Sequence, residues 1–114
     1  MRALLWDVEA ACQLLAVFTE GIDEVAYCGN ELLRSAVERQ LLIVGEALAQ
    51  ASRLDRKAEQ RVTDLRRVVD FRNRLVHGYA AIADDVVWGV VQLHVPKLAA
   101  EVRAWLDELE GVDS

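Results

Sequence analysis

Between Asn30 and Ala51 apolar residues recur at spacings of three and four. Leu33, Val37, Leu41, Val44, Leu48 and Ala51 form one stripe, and Leu32, Ala36, Ile43 and Ala47 widen it. That period belongs to an α-helix, and a helix apolar over so wide an arc is covered on more than one side. The segment predicts the central element of a helical bundle, with Asn30 as N-cap and Glu31 in the first turn. Gly45 sits inside the pattern. Glycine costs a helix interior roughly 1 kcal/mol relative to alanine, so its presence predicts the close approach of a neighbouring helix.

The same period recurs along the chain. A first helix is expected from about Leu4 to Glu20, with Leu4, Leu5, Val8, Cys12, Leu15, Val17 and Phe18 as its apolar face and Gly21 as a left-handed stop. Asp23 to Gly29 reads as a connection with room for one helical turn, and Ser52 to Arg61 as a helix end followed by a polar connection. A further helix runs from Thr63, the expected N-cap, to His77, where Gly78 ends it; Leu65, Val68, Val69, Leu75 and Val76 mark its buried stripe. The last helix opens at Asp84 or Asp85, as its N-cap, and continues towards Leu109, kinked or split by Pro96. The 114 residues contain a single proline and six glycines, with no repeat and no linker. The expectation is one all-α domain over residues 1–114, an up-and-down bundle of four to five helices.

Composition removes several function classes. No apolar run reaches the ~18–20 residues that span a bilayer, and Asp7 falls where a signal peptide would be apolar, so a cytoplasmic location is expected. Cys12 and Cys28 read as reduced, small apolar residues rather than a disulfide. No CxxC or HExxH spacing occurs, so neither a metal nor another cofactor is expected. The three tryptophans, Trp6, Trp88 and Trp105, lie in apolar patterns and read as core or interface. His94 reads as an ordinary helix residue.

The net charge of −6 argues at first against a nucleic-acid partner. Its distribution alters that reading. Residues 53–74 carry eight basic side chains against four acids, a net +4, whereas the remainder carries five against fifteen, a net −10. Such a strip attracts phosphate locally, or it is an exposed helix laced with i,i+4 ion pairs; charge alone leaves both open.

The chemistry concentrates at Asp70-Phe71-Arg72-Asn73-Arg74-Leu75-Val76-His77-Gly78-Tyr79. Extending the stripe from Leu65 through Val68 lands on Arg72, Val76 and Tyr79, so arginine stands where an apolar residue belongs. An unpaired buried guanidinium is costly. Arg72 therefore pairs with an acid such as Glu46 or Asp70, or faces a polar cleft. His77 follows five residues later, about 140° around an ideal helix and ~7.5 Å along it, so the two converge only with help from an unwound helix end or a facing subunit. Asn73, one turn before His77, is placed to fix the tautomer of the imidazole. Taken singly, His77 reads as a helix-end dipole contact and Tyr79 as a capping aromatic.

Together these residues resemble the Arg-polar-x4-6-His signature of the HEPN superfamily, and the tyrosine two residues after the histidine resembles its HepT-like toxins. Arg39-Gln40-Leu41-Leu42-Ile43-Val44-Gly45-Glu46-Ala47 is similar to the central-helix segment of that family, and Ile82 to Leu98 to its C-terminal segment. Relatives often carry proline and tryptophan at the start of the motif helix, where this chain has Arg61-Val62-Thr63-Asp64-Leu65. The resemblance implies a homodimer with facing motif helices and a composite cleft that cuts RNA without metal. Arg72 would stabilise charge on the scissile phosphate, His77 would act as general acid or base, Asn73 would orient the site and Arg74 would bind substrate. It further implies a toxin–antitoxin pair in which a minimal nucleotidyltransferase adenylylates Tyr79 and blocks RNA by bulk and charge. A non-catalytic nucleotide-binding or nucleotidyltransferase-docking module is the alternative, and a helical dimerisation scaffold the plainest one.

Overall fold

Asn30 behaves as its residue type demands: its side-chain oxygen accepts from the backbone N–H of Leu33 at 3.0 Å and opens the long central helix. The computed structural model describes residues 1–77 and 82–111, and all regular structure among them is helical. The elements are α1 (Arg2–Thr19), α2 (Glu24–Cys28), α3 (Glu31–Leu54), α4 (Ala58–Arg61), α5 (Leu65–His77), α6 (Asp84–Gly89), a π-helical turn (Val90–His94) and α7 (Val95–Glu110). The all-α bundle expected from periodicity is the fold observed. Gly78 and Tyr79, the expected helix stop and modified residue, lie outside the described residues.

The central helix α3 packs against α1 on one side and α5 on another, and α1 also packs against α7. Leu5, Val8 and Leu15 from α1 meet Val37, Val44 and Leu48 from α3 and Val102, Trp105 and Leu106 from α7, all buried in one cluster. Cys12 belongs to it too. Burial, with a smaller contribution from Glu9, pushes its thiol up to about 12, so it stays protonated and acts as a small apolar residue. Tyr27 on α2 is fully buried and its ring meets that of Trp88 at a centroid distance of 5.2 Å. Gly21 takes the left-handed conformation, φ +73°, that ends α1.

Several margins differ from the sequence reading. Leu32, Val17 and Val76 were expected on the apolar faces of their helices, yet all three are exposed, because those helices are covered over narrower arcs than their composition allows. Thr63 does not cap α5. Its hydroxyl and backbone N–H both donate to Glu101 on α7, and α5 begins at Leu65. Asp84 and Asp85 occupy the first turn of α6 rather than its cap, which is Ala83. Pro96, which cannot donate a backbone hydrogen bond, stands in the first turn of α7 immediately after the π-helical turn, where the N–H of Val95 reaches the carbonyl of Val90. His94 falls on that turn, its Nδ1 3.5 Å from Asp64. No described helix is long and apolar enough to cross a membrane.

Two substitutions separate core from cap. Leu48→Ala, at a fully buried position on α3, is expected to lower the unfolding free energy by ~2–5 kcal/mol, and Asn30→Ala by about 1 kcal/mol, in denaturant titrations. Equal losses would contradict this account of the bundle.

Candidate functional site

The site is built where α5 crosses α3. A Cβ placed on Gly45 would lie 2.2 Å from the Arg72 Cβ and 2.7 Å from its Cγ, with the Val68 carbonyl at 3.5 Å. Val68 and Arg72, one turn apart on α5, straddle the glycine. The missing side chain is what admits the second helix, as the sequence reading expected.

This approach settles what Arg72 does. Its Nη2 donates to Glu46, the next residue on α3, in an ion pair, and its Nη1 donates to the Asn73 Oδ1 at 2.8 Å. The other oxygen of Glu46 accepts from the Gln50 Nε2 at 3.3 Å. Gln50, Glu46, Arg72 and Asn73 thus form one hydrogen-bonded chain from α3 to α5. Of the two acids considered as partners, Glu46 is the one that pairs.

Arg72 also borders a cleft of about 320 Å³ lined by Leu4, Asp7, Arg39, Glu46, Gln50 and Val76, among others. The ion pair and the polar cleft, posed as alternatives, coexist. The side chains of Arg72 and Glu46 retain 27% and 44% of their exposure, and pairs this wet contribute ~0–1 kcal/mol to stability. Stability alone is a weak reason for this arrangement.

His77 closes α5 and is exposed, and it does not line the cleft beside Arg72. Its five-residue separation from Arg72 corresponds to about 140° around an ideal helix. Arg74 is exposed on the outer face and makes no ion pair among the described residues. The sequence reading did not place Arg39, Gln50, Leu4 or Asp7 at the cleft. Arg39, Glu46 and Gln50 recur at spacings of seven and four, a polar seam on α3 that was overlooked because its apolar stripe dominated.

The strip at residues 53–74 divides. Arg61 pairs with Glu108, Arg66 with Glu59 and Arg72 with Glu46, while Arg53, Arg56, Lys57, Arg67 and Arg74 are exposed without an ion pair among the described residues. None of these three pairs has the i,i+4 spacing expected of an ion-pair-laced helix, and the five remaining cations stand at the surface.

The chain matches the Ribonuclease HepT-like family over residues 8–105 and belongs to that family. A protein of Methanocaldococcus jannaschii named "Putative RNase" is 32% identical over 103 residues, covering 90% of this chain and 94% of that protein. A second from the same organism, of the same name, is 22% identical over 113 residues, covering 99% and 93%. One from Caldanaerobacter subterraneus subsp. tengcongensis, also so named, is 23% identical over 107 residues, covering 94% and 95%. No solved structure matches the chain.

Gly45→Ala tests the crossing. Alanine improves helix propensity, but overpacking against Arg72 is expected to outweigh that gain and cost ~1–3 kcal/mol in denaturant unfolding. A stabilised variant would refute the close approach.

Proposed function

We propose that the chain is a metal-independent endoribonuclease, acting as the toxin of a toxin–antitoxin pair in the cytoplasm. The observation that carries this reading is Arg72: a guanidinium held at the mouth of a cleft, in a chain belonging to a ribonuclease family. Arg72 has five N–H donors, of which Glu46 and Asn73 take two, so the others are available for a phosphodiester. There it stabilises the charge that develops on the non-bridging oxygens. His77 takes the proton of the 2′-hydroxyl or returns one to the leaving 5′-oxygen. The 2′-oxygen bonds to phosphorus as the bond to the 5′-oxygen breaks, so no metal-bound nucleophile is needed.

Five residues set Arg72 and His77 about 140° apart on an ideal helix, which supports a composite working site. Two copies related by a two-fold axis present the arginine of one α5 to the histidine of the other. Half-exposed Val76, beside His77, supplies apolar surface for that contact. Asn73 orients the Arg72 guanidinium, and Arg74 holds a flanking phosphate. Tyr79, two residues beyond His77, receives AMP from a minimal nucleotidyltransferase antitoxin, and the added charge excludes RNA.

The Arg72–Glu46 pair also suits a second reading, a nucleotide-binding or nucleotidyltransferase-docking module that never cuts. The measurements separate them. Arg72→Ala and His77→Ala should each reduce RNA cleavage by ~10²-fold or more and abolish growth inhibition, with the helical circular dichroism signal retained. Light scattering should give a dimer at micromolar concentration. Toxicity that survives both substitutions, or a monomer that cuts RNA, sinks the composite site.

A further inference from the structure

We infer that Glu46 is a positioning residue for cleavage, holding the Arg72 guanidinium in its reactive orientation while Gln50 fixes the carboxylate. This rests on the ribonuclease reading and deepens it.

Both oxygens of Glu46 are engaged, one by Arg72 Nη2 and the other by Gln50 Nε2 at 3.3 Å. Asn73 grips Nη1 from the other side at 2.8 Å. A long arginine side chain is thereby tied at both terminal nitrogens, and the Gly45 contact presses its Cβ and Cγ onto the α3 backbone. Base, middle and tip of the side chain are all constrained. The pair is too wet to matter much for folding, yet an arginine left to its rotamers would have to be ordered at each encounter with substrate. Charge stabilisation in catalysis depends on donors fixed before the transition state arrives. Glu46 and Gln50 also line the cleft, so their effect falls at the reacting centre.

The alternative role has the opposite sign. If Glu46 merely masked the guanidinium, removing it would free Arg72 and speed cleavage. Steady-state assays on a fluorescent RNA oligonucleotide decide this. Glu46→Ala is expected to lower kcat ~10-fold or more with KM within about threefold, since the loss falls mainly on the transition state. Glu46→Gln keeps an oxygen acceptor and should retain kcat within about threefold of the wild type, and Gln50→Ala should fall between. Melting curves check that all three variants fold. A Glu46→Ala enzyme that cuts at the wild-type rate or faster overturns the proposal.

Nitrogen-15 spectra of the dimer give a readout independent of turnover. Slow rotation of the Arg72 guanidinium should be seen in the wild type and lost in Glu46→Ala. Unchanged rotation overturns the proposal. Restrained rotation in a wild-type protein that cuts no RNA upholds the positioning of Arg72 and overturns only the ribonuclease reading.

Discussion

The crossing of α5 over α3 at Gly45 sets the geometry on which everything else depends. With no side chain at that position, the two helices approach until Arg72 lies against the α3 backbone, and the residue following the glycine becomes its partner. Packing and electrostatics are joined at adjacent positions. The glycine determines how close the arginine stem comes, and the glutamate determines where its head points. Interiors packed to the density of organic crystals do not absorb an added methyl by small adjustments spread widely, so neither feature varies without the other.

The position of Arg72 in an otherwise apolar stripe looks like a conflict between local pattern and fold. It is resolved by leaving the arginine at the edge of the bundle, where its stem packs and its head stays wet. Such departures from binary patterning tend to fall at functional places, and this one coincides with the cleft. The same helix ends in an exposed histidine, so α5 carries polar residues both against α3 and at the solvent.

Much of this was legible without coordinates. The stripe from Leu33 to Ala51, the cap at Asn30, the turn at Gly21 and the reason for Gly45 all follow from period and residue type, and each is present. The margins were not. Leu32 and Val17 share the apolar character of their neighbours, and only the width of the covering helices decides that they stay outside. Thr63 looks like a cap locally, but Glu101, 38 residues away, captures it instead. Such long-range competition is invisible to local pattern. The cleft was half legible: Glu46 was named as one of two possible partners, while Arg39 and Gln50 needed the fold to show that α3 turns a polar seam towards α5.

The π-helical turn between α6 and α7 has a consequence of another kind. A turn of this sort amounts to an α-helix carrying one surplus residue, and it lets the stretches on either side keep independent rotational phases. Val87 faces inward ahead of it and Val91 within it, and Leu98, Val102 and Trp105 do so behind it. Length changes of one residue in this window would therefore be absorbed by gaining or losing a bulge, leaving the terminal helix seated on α1. The C-terminal helices have, in effect, an expansion joint that takes up a change in length without disturbing the core.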